Sequence, residues 1–199
     1  MLSTVKGMVF VSKYLNEYPW LRTVNMYTGK LDSNHDAMDD MIEQAPGWEI
    51  AFGEMFCKDL DEAIKKSSLT KEFHIVQLKE KYGTLRVYAN QRSKFIDDVL
   101  NKYSVISAHV CSNCGKPDVP MTYEAWFLPL CKNCYLSSNK RKTEADYERY
   151  CNSQDRIPDF YETGNCFNWS DGTSSKETER IYIKDTANMI RNNWKNNKG

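Results

Sequence analysis

Four cysteines constrain this chain more than any other feature. Cys111-Ser112-Asn113-Cys114 and Cys131-Lys132-Asn133-Cys134 form two CxxC pairs with 16 residues between them, a spacing within the range of four-cysteine metal sites. Two intervening residues let a tight turn aim both sulfurs at one ion about 2.3 Å away, and two such turns complete a tetrahedron. Gly115 suits the first turn, where backbone amides fold round the sulfurs. Lys116 and Lys132 lie close enough in sequence to offset thiolate charge. Four thiolates fill the shell and leave no position for water, so the expected role is structural, with one zinc ion. Iron in a rubredoxin-like site uses the same ligands and stays open. Two disulfides would need an oxidising compartment, and a thioredoxin-type redox pair would leave the second CxxC unexplained. Cys57, Cys151 and Cys166 lack pair spacing. Cys57 reads as a small core residue, and the other two as surface thiols.

The rest of the chain predicts an α+β fold. Apolar positions Val5, Met8, Val9 and Leu15 suggest a helix over 3–17, ended by Pro19. Asp32 or Ser33 is placed to cap a short helix carrying Met38, Met41 and Ile42 on one side. Beyond the break at Ala45-Pro46-Gly47, residues Trp48, Phe52, Met55, Phe56, Leu60, Ala63 and Ile64 recur at three and four residues, the mark of an amphipathic helix. The period then changes. Residues 72–79 and 84–89 read as strands of a hairpin with Glu80-Lys81-Tyr82-Gly83 at its charged tip. Ser93 opens a helix to about Ile106 whose expected buried stripe is Phe95, Ile96, Val99, Leu100 and Tyr103.

This reading divides the chain into a helix–hairpin–helix core over 1–108, a four-cysteine zinc ribbon or treble-clef-like knuckle pair over 109–136, and a C-terminal extension over 137–199. Met121 to Leu130 has the character of a ribbon strand. The extension holds a polar helix from Thr143 to Cys151, an irregular segment over 152–175, and a final helix opened by Ser174-Ser175-Lys176-Glu177. Ile183, Ala187, Ile190 and Trp194 form its apolar stripe.

Composition narrows the function classes. The 199 residues carry 27 basic and 27 acidic side chains, so the basic excess of a general nucleic-acid coating protein is absent. No apolar run reaches the roughly 18 residues of a membrane span, and the amino terminus reads as a helix and not as a signal peptide. A cytoplasmic setting is expected. The three histidines, His35, His74 and His109, offer no catalytic set. His74 reads as a hydrogen-bonded sheet residue, and His109 lies two residues before Cys111. The acids around His35 (Asp32, Asp36, Asp39 and Asp40) read more simply as a solvated face than as a cation site. Some nucleases carry a His-based site between two CxxC pairs, but residues 115–130 contain no histidine. No phosphate-cradling loop, Gly-x-Ser-x-Gly elbow or HExxH occurs. The chain reads as non-enzymatic.

The order of Gly47-Trp48, Lys79-Glu80-Lys81, Gly83, Leu85-Arg86, Tyr88, the four cysteines and Trp126 resembles a family of small phage- and prophage-encoded proteins. In that family a GW helix precedes a KEKxGxLRxY hairpin and a zinc ribbon. The resemblance spans about residues 10–135 and implies a phage origin and a zinc-bearing α+β domain in a host bacterial cell. It brings no known activity. The leading expectation is an accessory protein that binds a host or phage protein, with Lys79, Lys81 and Arg86 at the hairpin and Trp126-Phe127 on the ribbon as contact residues. A nucleic-acid-binding alternative uses Lys132 with Lys140, Arg141 and Lys142 as a basic patch beside Trp126 and Tyr135. A second alternative is a nucleotide-binding or nucleotide-modifying phage factor.

Overall fold

The computed structural model describes residues 12–25, 28–71, 73–123, 126–138, 142–152 and 176–198. It is a mixture of helices and small antiparallel strand pairs. Residues 3–11 of the expected first helix lie outside the described residues. Its remainder forms turns that bury Tyr14, Leu15 and Tyr18 and lead into a 3-10 turn at Pro19–Leu21.

Strand β1 (Arg22–Val24) pairs with β2 (Leu31–Asp36), and β2 runs straight into helix α1 (Ala37–Gln44). Because the chain stays extended through 32 and 33, the cap falls where the strand ends, at Asp36, and not at Asp32 or Ser33. One oxygen of the buried Asp36 accepts from the Met38 and Asp39 amides at 2.8 and 3.3 Å. The Asp39 carboxylate accepts the Asp36 amide in return, which closes a capping box. The second Asp36 oxygen accepts from the Ser12 amide at 2.8 Å. Met38 and Met41 are buried, whereas Ile42 faces solvent.

The apolar run from Trp48 is not one uniform helix. A single turn, α2 (Pro46–Trp48), passes through a π-helical turn at Glu49–Gly53 into α3 (Glu54–Lys66). Tyr14 Oη donates to Glu49 Oε1 at 2.7 Å and pins the wide turn from outside. The aromatic stripe still reaches the core. Trp48 stacks on Phe52, and Phe52 and Phe56 pack on Tyr103 at ring separations of 5.4 and 5.3 Å.

Strands β3 (Ile75–Lys81) and β4 (Thr84–Ala89) pair antiparallel, with Lys81 opposite Thr84. The two-residue turn places Tyr82 and Gly83 at φ of 53° and 77°, the paired left-handed conformations of a type I′ turn that suits strand twist. Ser93 Oγ then accepts the Ile96 amide and opens α4 (Lys94–Ser107). Ile96, Val99, Leu100, Tyr103 and Ile106 face the core, while Phe95 is half exposed. Helices α3 and α4 are also joined by charge. The buried Lys102 ammonium pairs with Asp59, which also accepts from Tyr103 Oη at 2.6 Å.

Strands β5 (Met121–Tyr123) and β6 (Phe127–Pro129) form a third, short hairpin, followed by α5 (Lys132–Ser138) and α6 (Glu144–Asn152). Met121 to Leu130 is therefore two strands and not one. Thr143 Oγ1 accepts from the Asp146 amide, and Asp146 accepts from the Thr143 amide, which caps α6 reciprocally. Tyr147 and Tyr150 of α6 pack on Tyr135 of α5 at 5.6 and 5.5 Å, in a small apolar cluster with Cys111, Val119, Leu130 and Cys131. Helix α7 (Lys176–Lys198) returns to the main core, where Ile190 is buried. The expected irregular segment after Asn152 and the expected cap at 174–175 lie outside the described residues. Among the described residues no helix is long and apolar enough to cross a membrane.

Asp36 satisfies three backbone amides at a buried junction, so Asp36→Ala is expected to cost about 2–3 kcal/mol. Urea unfolding checks this. A change below about 0.5 kcal/mol, the range of an ordinary surface substitution, would show that the junction is held by something else.

Candidate metal centre

The first CxxC pair sits on a tight turn that follows α4. Gly115 N–H donates to Cys111 O at 2.9 Å, and Cys111 N–H donates to Lys116 O at 2.8 Å. Gly115 lies at φ of 80°, a conformation that costs glycine little. The second pair sits at a helix start: Cys131 directly precedes α5, and Cys134 lies in its first turn. The short β5–β6 hairpin spans the distance between the two pairs.

The four sulfurs lie within 4.8 Å of one another, and the Cys114 and Cys131 sulfurs are 3.7 Å apart. A tetrahedron with metal–sulfur bonds of about 2.3 Å has edges of roughly 3.8 Å. A disulfide would require sulfurs about 2.05 Å apart, and all four cysteines are free. The cluster is therefore close enough to hold one metal ion. Cys111 and Cys131 are buried, and Cys114 and Cys134 are partly exposed.

The groups that steady negative sulfur are mostly not the ones the sequence suggests. The Lys132 ammonium points to Glu144 at 2.8 Å. Lys116 acts through its backbone amide, which bonds the Cys114 sulfur. Asn113 Nδ2 approaches the Cys134 sulfur at 3.4 Å. Burial pushes the Cys114 thiol up, and it pushes Cys134 up to about 11. Cys131 is lowered: burial opposes ionisation there, but the Cys134 amide and the neighbouring sulfurs outweigh it. That amide belongs to the positive end of α5, which favours a thiolate. A metal must displace the remaining protons, so binding weakens as pH falls.

The first cysteine turn is seated on the helical turn at Gly47-Trp48. Gly47 N–H donates to Ser112 O at 2.8 Å, and the buried Trp48 Nε1 donates to Val110 O at 3.0 Å. A side chain on Gly47 would overlap Cys111 O and the Gly115 amide, and one on Gly115 would lie 2.7 Å from Gly47 O. Two facing glycines let the backbones touch. The sequence names Gly47-Trp48 only as a helix break and a motif, with nothing to indicate that it receives the cysteine turn 64 residues later (47 to 111).

The β5–β6 hairpin in turn packs on the tip of β3–β4. Trp126 Nε1 donates to Glu80 Oε2 at 2.7 Å, and the other Glu80 oxygen accepts the Gly83 amide at 2.6 Å. Tyr82 and Phe127 meet edge to face at 6.4 Å, and the Met121 side chain fills the space beside Gly83. Trp126 is nevertheless 60% exposed. Lys79 and Arg86 are opposite each other across the strands, and the Lys79 ammonium lies over the Tyr88 ring. Trp126 thus meets the hairpin tip at Glu80, whereas Lys79 and Arg86 lie on the other face of the strand pair.

The other expected site residues lie elsewhere. Lys142 sits over the ring of Tyr135, which is buried, and Lys140 and Arg141 lie outside the described residues. His109 lines a cleft of about 470 Å³ between α4, Asp118 and α7. There Arg191 grips Asp118 through two bonds of 2.7 and 2.6 Å and holds its carboxyl below the usual range. His35 bonds Asp40 at 3.1 Å, and Asp36 and Asp39 form the α1 cap. His74 takes no ladder position but bonds Asn90 through its backbone at the foot of the hairpin. Cys57 is buried, which pushes its thiol up, and Cys151 is exposed. Cys166 lies outside the described residues. Compared with known proteins, the chain matches no family model, no curated protein and no solved structure.

Removing one sulfur leaves three ligands and an unfilled corner. Cys114→Ser is expected to reduce bound metal from one ion per chain to less than half under mild chelator competition, with the α3–α4 core still folded. Elemental analysis and circular dichroism check both parts. Equal metal content in variant and parent would remove Cys114 from the ligand set.

Proposed function

We propose that this protein is a non-catalytic, zinc-stapled recognition module that binds a host or phage protein inside an infected bacterial cell. Zinc suits a set of four soft sulfur donors at tetrahedral spacing, and a filled shell leaves the ion a structural task. The turn–hairpin–helix order around the cysteines supports a treble-clef-like finger, carried by a helix–hairpin–helix core. The phage setting rests on the motif order from Gly47-Trp48 through the hairpin to Trp126.

One observation carries the recognition role. The ribbon turn and the β3–β4 tip are bonded together through Trp126–Glu80 and Tyr82–Phe127, yet Trp126 and Tyr82 remain exposed at 60% and 50%. Large aromatic side chains fixed in place and left facing water are typical of the residues that dominate protein interfaces. The nucleic-acid alternative has less support at its original place, because Tyr135 is buried and Lys132 is paired with Glu144.

The test is quantitative affinity capture from infected cells with the parent protein and with Trp126→Ala. Loss of an anchor worth about 2 kcal/mol lowers affinity about 30-fold, so a specific protein should be recovered with the parent and largely lost with the variant. Unchanged metal content and melting temperature would verify that the variant is folded. Recovery of the same proteins in the same amounts with both baits would contradict the proposal.

A further inference from the structure

The outer face of β3–β4 carries its cations in a row. Lys79 lies opposite Arg86, and Lys81 lies opposite Thr84 one step along the same face, with Tyr88 opposite Gln77 at the other end. Lys79 Nζ bonds Gln77 Oε1 at 2.8 Å and lies 5.0 Å from the Tyr88 ring centre. Lys81 Nζ lies 5.3 Å from the Tyr82 ring centre. Among the described residues, the partners of these two ammonium groups are an amide and aromatic rings, not carboxylates. Glu80 points to the opposite face and spends both oxygens on the Gly83 and Trp126 N–H groups. In a chain of zero net charge, this is a local positive strip that ends at the turn, where Lys81 meets Tyr82 and Tyr82 meets Phe127.

Several outward amides beside the strip are already taken. Gln44 Oε1 accepts the Glu80 amide, Asp40 accepts the Leu78 amide, and Ser107 Oγ accepts the Leu85 amide. A partner strand that paired with the backbone there would have to displace these bonds, whereas Lys81 and Tyr88 on the face are exposed. Lys79 and Lys81 are two residues apart on one strand, roughly 7 Å at about 3.4 Å per residue. Alternate residues of an extended peptide have the same spacing.

Resting on the recognition role proposed above, we infer that the β3–β4 face binds an extended acidic segment of a protein. Its alternate carboxylates meet Lys79 and Lys81, and a following apolar side chain sits against Tyr82 and Phe127 at the turn. A single nucleic-acid strand is less favoured. Base stacking needs open ring faces, whereas Tyr82 and Tyr88 already carry lysine ammonium groups over theirs. Strong phosphate binding also draws on more cations than this short row supplies.

The test uses the full-length metal-loaded protein and three labelled probes in fluorescence anisotropy: a peptide with Glu at alternate positions followed by Leu, the same peptide with Gln for every Glu, and an oligo(dT) strand. The Glu peptide is expected to bind at least about tenfold more tightly than the Gln peptide, with an affinity that falls as salt rises. Lys79→Glu with Lys81→Glu should weaken it by about tenfold, with metal content unchanged. Equal binding of the Glu and Gln peptides, a charge-reversed variant that binds as well as the parent, oligo(dT) bound in preference to peptide, or no binding of any probe would each overturn the inference. The Trp126→Ala capture comparison decides the broader recognition role independently of these outcomes.

Discussion

Gly47 and Gly115 face each other across a gap that admits no Cβ on either side, and the rest of the molecule is arranged around that contact. Backbones approach this closely only where both residues lack side chains, and a close approach of polar groups is stable only if they bond. Here they do. The Gly47 amide reaches Ser112 O, and the indole of the adjacent Trp48 reaches Val110 O. Trp48 is also part of the aromatic stack with Phe52, Phe56 and Tyr103. The position of the cysteine turn is therefore tied to the packing of the main core. From that turn the β5–β6 hairpin is projected over the tip of β3–β4, which sets Trp126 on Glu80 and Phe127 against Tyr82.

The metal cluster and the seat beneath it depend on each other. Four sulfurs can converge only if the first turn holds its shape, and part of that shape comes from bonds to Gly47 and Trp48. An ion held by the four sulfurs would restrain a turn whose own apolar cluster is small, with Tyr135, Tyr147, Val119 and Leu130 as its main buried side chains. A cluster of that size supplies little burial energy, which is the usual reason small lobes rely on metals. Helix α7 adds a second tie from outside, through Ile190 in the main core and the Arg191–Asp118 pair just beyond the first cysteine turn.

Features set by short-range chemistry were legible in the sequence. The CxxC spacing indicated the cluster of Cys111, Cys114, Cys131 and Cys134, because ligand geometry acts over a few residues. The positive φ at Gly83 and the Ser93 cap followed from glycine's conformational freedom and hydroxyl capping. The expected four-residue tip is shorter, because Glu80 and Lys81 continue β3, which starts at Ile75 and not at 72. Features set by distant partners were not legible. The Asp36 cap depends on where β2 stops pairing with β1, and β1–β2 has no strong alternating pattern. The π-helical turn carries a bond from Tyr14 to Glu49, two residues far apart in the chain. The exposure of Phe95 and Ile42 and the burial of Tyr135 depend on neighbours far along the chain. The seat at Gly47 was hidden for the same reason: a glycine before a tryptophan looks like a helix break until its counterpart Gly115 is brought to it.

If one metal ion held by the four sulfurs keeps the cysteine turn seated on Gly47-Trp48, removing it frees the Gly47 amide. Hydrogen exchange at the Gly47 amide, compared in metal-loaded and chelator-stripped protein, tests it most directly. Among the described residues its partner is Ser112 O on the cysteine turn, so its protection reports the docked state. The account predicts that stripping speeds its exchange by at least about a hundredfold while amides in the middle of α3 and α4 stay protected. Unchanged protection at Gly47 after complete metal removal would contradict it.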